Sequence, residues 1–252
     1  MPVIATPADG ADMDLYNMAH VSRAFAVVGG LLFAGSLVFF AVSYAWRFDE
    51  VIGPWSWTTG QRAVLLDVTM FSVFALHHSI FARSGGRAWI ARRVAPELER
   101  SVYVWLASLL FLGVCVWWVP VPGVAWEITG NFAVACRLVQ ALGAVLTVVA
   151  ARHFNLLELA GVTQALQHRA DQPVRLAHGP YGLVRHPIYL GWFAMVWFPP
   201  AMTGTRLVFA AISCAYLLVA IPFEERDLRR TFGGAYETYM RRVRWKIVPG
   251  VY

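Results

Sequence analysis

The sequence is poor in charged residues and in cysteine. Only 14% of its 252 residues are charged, whereas soluble domains carry about 25%. The three cysteines, Cys115, Cys136 and Cys214, stand apart within apolar segments and belong to no CxxC or Cys/His pattern. This spacing argues against a disulfide framework and a structural zinc site, so we expect no metal. A glycine-rich strand-to-helix turn is also lacking, which argues against the cofactor site of soluble Rossmann-type enzymes.

Hydrophobic residues make up 58% of the chain, and its mean hydropathy is +0.55. The pattern predicts an all-α fold, a polytopic integral membrane bundle of about six transmembrane helices with a cytosolic C-terminal helical tail. The expected spans are Val21–Trp46, Val64–Ala82, Val102–Val119, Phe132–Ala151, 188–204 and 206–223. We expect a single membrane domain over residues 21–252, preceded by a cytosolic segment at 1–20. The pair Pro199-Pro200 is expected to break the fifth helix, because proline lacks a backbone donor.

The basic residues are spread unevenly over the polar loops. Most of the 21 lie at 83–100, at 152–187 and in the tail after Phe223, which share one side of a bundle of six spans. The positive-inside rule therefore predicts that this side and both termini are cytosolic. Because the positive charge follows membrane topology, we expect no nucleic-acid partner despite a net charge of +6. The acidic N-terminus predicts no cleaved signal peptide, and the lack of eukaryotic retention signals favours a bacterial inner membrane.

A polar stretch, residues 178–189, stands at the start of the fifth apolar run and reads His-Gly-Pro-Tyr-Gly-Leu-Val-Arg-His-Pro-Ile-Tyr. Polar groups at a membrane boundary are costly unless they are paired or bind something. Pro187 suits the first turn of a helix, whose free amides and dipole favour an anion such as a carboxylate. The guanidinium of Arg185 could bind the same carboxylate through two parallel hydrogen bonds.

Other residues of this stretch suggest what kind of anion would bind. Tyr181 and Tyr189 are placed to flank a flat heterocycle, and Gly179 and Gly182 allow the backbone to approach closely. These features favour a zwitterionic nucleoside over a bare phosphate. The residues alone leave the identity of that nucleoside open.

Two adjacent carboxylates, Glu224 and Glu225, directly follow the last apolar run and open a charged tail. On a helix they would point about 100° apart, so each should have its own partner. One is expected to pair with Arg185 or His186, and the other to accept hydrogen bonds from a ribose or a cationic ligand. An interfacial cluster of charges is the alternative.

The second apolar run contains Asp67, His77 and His78. His78 is a candidate acid or base on the substrate side, and either histidine is a candidate haem ligand. The alternative is a hydrogen bond to a neighbouring helix. For Asp67, near the opposite end of the run, we expect a structural partner.

The polar residues of the last third resemble those of the membrane methyltransferases typified by isoprenylcysteine carboxyl methyltransferase and phospholipid methyltransferases. The shared pattern is a Gly-x-Tyr-x-x-x-Arg-His-Pro-x-Tyr motif followed, after a helical hairpin, by a Glu-Glu motif with spaced aromatics. In this chain it is formed by Gly179, Tyr181, Arg185, His186, Pro187, Tyr189, Glu224, Glu225, Leu228, Phe232, Gly233, Tyr236, Tyr239, Arg242 and Val243.

The N-terminal half narrows this resemblance to one branch of the family. The segments 78–83, 99–103, 117–126 and 153–156 look like those of methanethiol S-methyltransferases, NnrU-type proteins and nurim. That branch carries an Asp where this chain has Asn155, which puts an acid or base role at that position in doubt. The resemblance begins at about residue 62 and leaves the first 20 residues unexplained.

The resemblance implies S-adenosylmethionine as the cofactor, bound on the cytosolic side within about residues 178–245. The cofactor-binding residues that it implies are His178, Gly179, Tyr181, Arg185, His186, Pro187, Tyr189, Glu224, Glu225, Tyr236 and Tyr239, with the last two bracing the tail over the pocket. It implies methylation of a small thiol such as methanethiol to dimethyl sulfide. The catalytic candidates are Arg185, His78 and Glu225.

Two other functions are compatible with the same residues. A prenylated or lipid acceptor could enter from the bilayer, through a groove lined by Trp192, Phe193 and Trp197. A non-enzymatic NnrU- or nurim-like membrane protein, with haem on His77 or His78, is the third possibility, although the intact cofactor motif argues against it. The oligomeric state is left open.

Overall fold

The structure, a computed structural model, describes residues 8–54, 57–153, 162–163 and 178–252, with only the backbone for residues 8–19 and 57. These residues form helices and one small antiparallel ribbon, as expected for an all-α membrane protein. The helices are α1 (Ala8–Val42), α2 (Trp57–Phe81), α3 (Ser84–Ala91), α4 (Glu99–Trp117), α5 (Gly130–Ala151), α6 (Pro187–Trp197), α7 (Gly204–Phe232) and α8 (Gly234–Arg242), and the strands are β1 (Val124–Glu127) and β2 (Ala201–Thr203).

Within the described residues, five helical segments are long and apolar enough to cross a membrane, and they lie in α1, α2, α4, α5 and α7. The expected fifth span is shorter than its predicted range of 188–204. It is the apolar helix α6, whose eleven residues extend only about 16 Å, about half the thickness of a hydrocarbon core. The helix ends at Trp197, just before Pro199-Pro200, as the proline pair predicts, and the chain continues into β2.

One end of the bundle, which we call the ribbon end, is closed by backbone and buried polar contacts. Strand β1 pairs antiparallel with β2, and Thr203 Oγ1 donates to the carbonyl of Phe48 at 2.6 Å. The buried Arg206 pairs with Asp49 and donates to the carbonyl of Tyr44. These bonds satisfy main-chain groups that leave regular structure at this end. The ribbon was not predicted from the sequence.

The opposite end, which we call the site end, brings together the three basic segments. Arg83 Nε lies 3.8 Å from Asp227 Oδ2, and Arg185 pairs with Glu225. The grouping of the 83–100 loop, the start of α6 and the tail is therefore the one that the predicted topology requires. Arg169 and Arg175 lie outside the described residues, and the cytosolic placement of this end stays a prediction.

An aromatic core fills the centre of the bundle. Phe40 on α1 stacks on Trp192 of α6 at a ring distance of 5.1 Å and on Phe209 of α7 at 5.2 Å. Helix α6 also packs closely on α5, since a Cβ built on Gly143 would lie 2.6 Å from the carbonyl oxygen of Gly191. These contacts fix α6, and with it the polar residues at its start.

Two elements differ from the sequence-based prediction. The last span, expected to end at residue 223, continues as helix α7 to Phe232, so Glu224 and Glu225 lie on the same helix as the span and begin the helical tail. The region 83–100, expected as a loop, contains α3. Helix α1 begins at Ala8, and the apolar segment His20–Arg47, which starts within it, agrees with the first span expected at Val21–Trp46.

Candidate cofactor site

Arg185, just before α6, forms a buried ion pair with Glu225 of α7. Arg185 Nε donates to Glu225 Oε1 at 2.7 Å, and the two side chains are only 7% and 5% exposed. Arg185 Nη1 also donates to the carbonyls of Val243 and Arg244, at 2.8 and 2.7 Å. Buried charges are tolerated only when they are paired and hydrogen-bonded. This pair therefore ties the start of α6, α7 and the tail to one another.

The backbone makes the same connection. The amide of Arg185 donates to the carbonyl of Trp245 at 2.9 Å, and that of His186 donates to Lys246 at 2.8 Å. The sequence suggested that the free amides of the first turn of α6, together with the guanidinium of Arg185, would bind an anionic ligand. Nε and Nη1 of Arg185 instead bind protein groups, as do the amides of Arg185 and His186, which precede that turn. No side-chain pattern could reveal this, because the partners in the tail are main-chain carbonyls.

His186 lies between the two glutamates. Its Nε2 is 3.4 Å from Glu225 Oε1, and its Nδ1 is 3.6 Å from Glu224 Oε2. Arg229, one turn further along α7, places Nη2 3.8 Å from Glu225 Oε2. Glu224 and Glu225 thus have largely separate partners, as their spacing on a helix predicts. Glu225 is compensated by cations and buried, whereas the side chain of Glu224 is 39% exposed.

The accessible carboxylate is held by an aromatic residue. The hydroxyl of Tyr189 donates to Glu224 Oε1, and the Tyr189 ring stacks on His186 with centroids 5.2 Å apart and an angle of 18°. The first turn of α6 and the last third of α7 therefore present a negative, accessible group beside flat ring faces. Such an arrangement is suited to a cationic ligand that also carries hydroxyl groups or a heterocycle.

Two tyrosines of α8 connect the tail to this site. The hydroxyl of Tyr239 donates to the carbonyl of Tyr181 at 2.8 Å, while Tyr236 and Tyr239 pack against Leu228 and Phe232 of α7. Burial raises the pKa of Tyr239 to about 12. Burial, and then the negative charge of Glu225, raise the pKa of Tyr236. Both tyrosines are therefore neutral donors at physiological pH.

The loop before α6 packs against the end of α5. Gly179 has a φ of +57°, and a Cβ at this position would lie 2.7 Å from His153 Nε2. The His153 ring meets Tyr181 edge to face at 5.6 Å. Glycine at 179 is required both by its backbone conformation and by this close approach. His178 is exposed, and Pro187 is the buried first residue of α6; Asn155 lies outside the described residues.

His78, the remaining catalytic candidate, lies on α2 and bonds a residue of α4. Its Nδ1 lies 2.9 Å from the hydroxyl of Tyr103 on α4, which is the interhelical hydrogen bond considered as its alternative role. Helices α2 and α7 run side by side in the same direction, since Phe71 packs on Phe209 and Arg83 pairs with Asp227. His78 precedes Arg83 by five residues, so it lies about 8 Å deeper in the bundle than the ion pair of Arg83 with Asp227.

Asp67 has the structural partner expected for it, because its Oδ1 accepts a hydrogen bond from the amide of Val119 at 2.8 Å.

The aromatic residues expected to line a lateral groove are engaged in the core. Trp192 donates to Ser213 Oγ at 3.0 Å and Trp197 donates to Cys214 Sγ at 3.3 Å, and Phe193 packs on the same core. These contacts therefore argue against a lateral groove lined by Trp192, Phe193 and Trp197.

Comparison with known proteins identifies the family. Methanethiol S-methyltransferase 1 of Bradyrhizobium diazoefficiens is 36% identical over 235 residues, which cover 88% of this chain and 82% of that protein. The methanethiol S-methyltransferase of Mycobacterium tuberculosis is 37% identical over 187 residues, covering 72% and 77% of the two chains. Nurim of Xenopus laevis is more distant, with 25% identity over 187 residues, covering 68% and 64%.

No family model and no solved structure matches the sequence. The assignment therefore depends on the relatives that share more than a third of their aligned residues with this chain over most of both lengths. On that similarity, the chain belongs to the methanethiol S-methyltransferase family.

Proposed function

We propose that this protein transfers a methyl group from S-adenosylmethionine to a small thiol such as methanethiol, releasing dimethyl sulfide. The reaction would take place at the cytosolic face of a bacterial inner membrane. The observation that carries the proposal is the accessible carboxylate of Glu224, held by Tyr189 beside a buried and neutralised ion pair. The kinship with methanethiol S-methyltransferases supports the choice of acceptor.

The charges at the site fit this cofactor. Arg185 and Glu225 neutralise each other inside the protein, which leaves the 39%-exposed side chain of Glu224 as an accessible negative charge beside them. S-adenosylmethionine carries a positive sulfonium and an ammonium group, and its ribose hydroxyls are donors that a carboxylate accepts. The half-buried rings of Tyr181 and Tyr189 offer surfaces for an adenine ring. When bound, the cofactor supplies an electrophilic methyl group on a positively charged sulfur.

In this proposal Arg185 and Glu225 act by shaping the site. Their side chains hold the start of α6 against α7 and the tail, and His186 links that pair to Glu224. Tyr236 and Tyr239 brace α8 over the same region. Methyl transfer between two sulfur atoms requires in-line placement of the reactants, and such placement is worth about 7–11 kcal/mol. The buried ion pair and the packed tail form a rigid, water-poor surface behind Glu224, which helps to hold the two reactants in line.

The thiol must lose a proton, because the thiolate is the nucleophile. The candidate acceptors of this proton are His78 on α2, which also bonds Tyr103, and a glutamate of α7. A small apolar thiol would reach the site through the membrane interior, while the charged cofactor enters from water.

The test compares acceptors on the purified protein in lipid nanodiscs. Supplied with S-adenosylmethionine carrying a deuterated methyl group, the protein should convert methanethiol into deuterated dimethyl sulfide in the headspace. Farnesylated cysteine and phosphatidylethanolamine, assayed in parallel, should remain unmethylated. Methylation of either lipid-like acceptor without dimethyl sulfide would replace the thiol by a lipid substrate. Absence of cofactor binding would refute both enzymatic functions.

A further inference from the structure

The last residues of the chain fold back onto the segment that contacts Arg185. The amides of Lys246, Ile247 and Val248 all donate to the backbone oxygen of Tyr252, at 2.9, 2.9 and 3.1 Å. Lys246 Nζ also donates to the hydroxyl of Tyr252 at 3.0 Å and lies 4.2 Å from the centroid of its ring. Three consecutive amides that converge on one oxygen form a concave binding site for that oxygen.

A tight turn makes this contact possible. The amides of Val251 and Tyr252 both donate to the carbonyl of Val248, at 3.1 and 3.0 Å, and Gly250 has a φ of +83°. A type II turn requires a positive φ at its third residue, which glycine adopts readily, and proline is common at its second residue. We call residues 248–252, closed by Pro249-Gly250, the hook.

The segment before the hook is held from both sides. Its amides at 246–248 bind the oxygen of Tyr252, while its carbonyls at 243–246 accept hydrogen bonds from Arg185 and His186. The hook therefore fixes the backbone whose carbonyls orient Arg185, and Arg185 in turn pairs with Glu225. Each of these contacts is direct, so the chain of interactions from Tyr252 to Glu225 has no gap.

The hook adds little to the core. Val251 is 77% exposed and Tyr252 is 40% exposed, whereas Ile247 just before the hook is 1% exposed. An exposed loop that buries little apolar surface contributes little through hydrophobic packing. Its hydrogen bonds to the amides of 246–248 are then its main contribution.

We propose that Gly250 and Tyr252 are positioning residues for cofactor binding, acting through the carbonyls of residues 243–246 on Arg185 and His186. This inference rests on the proposed function for what the site binds. It concerns how the site is held, so it can be tested with and without the cofactor.

The main test is Gly250→Ala, because alanine is strained at a φ of +83° and the turn must open to relieve it. Gly130→Ala is the matched control, since Gly130 has a φ of +62°, is equally free of close neighbours, and lies at the ribbon end. Hydrogen exchange, read on the amides of Arg185 and His186 without cofactor, should accelerate in Gly250→Ala and stay at the wild-type rate in Gly130→Ala.

The second readout is the kinetics of methyl transfer. We expect Gly250→Ala to raise the KM for S-adenosylmethionine about tenfold, with the KM for the thiol unchanged, while Gly130→Ala alters neither. Removal of Val251 and Tyr252 should reproduce the effect of Gly250→Ala. This shortened chain provides the test if the Gly250→Ala variant does not fold.

The outcomes separate this inference from the proposed function. Wild-type exchange at Arg185 and His186 in both Gly250→Ala and the shortened chain would overturn the positioning role. Equal effects of Gly130→Ala and Gly250→Ala would also overturn it, because the loss would then be general. Faster exchange in Gly250→Ala, combined with a wild-type protein that binds no S-adenosylmethionine, would uphold the hook and refute the proposed cofactor.

Discussion

At the scale of single residues, the two adjacent glutamates of α7 have different surroundings and should respond differently to substitution. Glu225 is buried against Arg185, with 5% of its side chain exposed, while Glu224 is 39% exposed and bonds Tyr189. The burial of Glu225 matters for stability, because a buried charge depends on its partner. The exposure of Glu224 matters for binding, because an accessible carboxylate can exchange a protein partner for a ligand.

Replacing Glu225 should destabilise the fold. In Glu225→Ala the guanidinium of Arg185 stays buried without its carboxylate, and breaking such a pair costs about 3–5 kcal/mol. Thermal unfolding of the purified protein in detergent should show a large fall in melting temperature. The double variant Arg185→Met with Glu225→Leu should recover only part of that loss, because no unpaired charge remains but the carbonyls of Val243 and Arg244 lose their donor. A melting temperature unaffected by Glu225→Ala would mean that the ion pair does not hold the tail.

Replacing Glu224 should weaken binding and leave the fold intact. Glu224→Gln keeps the shape of the side chain and removes its charge, so we expect affinity for S-adenosylmethionine to fall about tenfold or more, the equivalent of about 1.4 kcal/mol. Calorimetric titration measures this change. Glu237→Gln, on the exposed face of α8, is the control and should bind as wild type. Equal affinities for both variants would remove Glu224 from the site.

At the scale of helices, the contact between α5 and α6 determines where the site residues stand. Gly143 and Gly191 allow the two helices to touch, and α6 carries Tyr189 two residues before Gly191. A side chain at the contact should push α6 away from α5 and shift the residues at its start. Because close-packed interiors absorb such strain poorly, the effect should reach both stability and binding.

Gly143→Ala tests this contact. The added methyl group would lie 2.6 Å from the carbonyl oxygen of Gly191 and 2.8 Å from Ala194 Cβ, so we expect a loss of about 1–3 kcal/mol in stability together with weaker cofactor binding. Gly35→Ala in α1 meets open space and should be neutral or slightly stabilising. Melting temperature and cofactor titration of the two variants make the comparison. A neutral Gly143→Ala would mean that α6 is not fixed by α5.

Elements with an apolar pattern could be predicted from the sequence, and elements made by backbone contacts could not. The apolar runs located the long helices, and Pro199-Pro200 indicated where α6 ends. The motif around Arg185, with Glu224 and Glu225, indicated which residues come together. The β1–β2 ribbon, and the contact of the hook with the amides of residues 246–248, escaped prediction because main-chain amides and carbonyls make them. The same cause hid the true acceptors of Arg185, which are carbonyls of the tail.

At the scale of the whole molecule, the polar residues are sorted between two ends with different chemistry. The ribbon end holds Arg206 and Asp49 in structural contacts, whereas the site end collects the glutamates, His186 and most of the tail arginines. The basic loops at the site end predict that it faces the cytosol. That orientation is also the one in which a soluble, charged cofactor reaches Glu224.

Orientation can be measured by labelling cysteines in intact cells. With Cys115, Cys136 and Cys214 replaced by serine or alanine, a cysteine introduced at Glu127 of β1 should react with an impermeant maleimide added outside. A cysteine at Arg241 of α8, which is exposed at the other end, should react only after the membrane is opened. The reverse pattern would place the site on the outer face and contradict the predicted topology.

The central claim is that the start of α6, the end of α7 and the tail together bind S-adenosylmethionine. Ultraviolet crosslinking of methyl-labelled S-adenosylmethionine to the purified protein, followed by peptide mapping, tests it most directly. We expect the label on peptides that contain residues 178–189 and 224–239. Excess unlabelled S-adenosylhomocysteine, present during irradiation, should prevent this labelling. Label confined to other helices, or label that the competitor does not displace, would contradict the account.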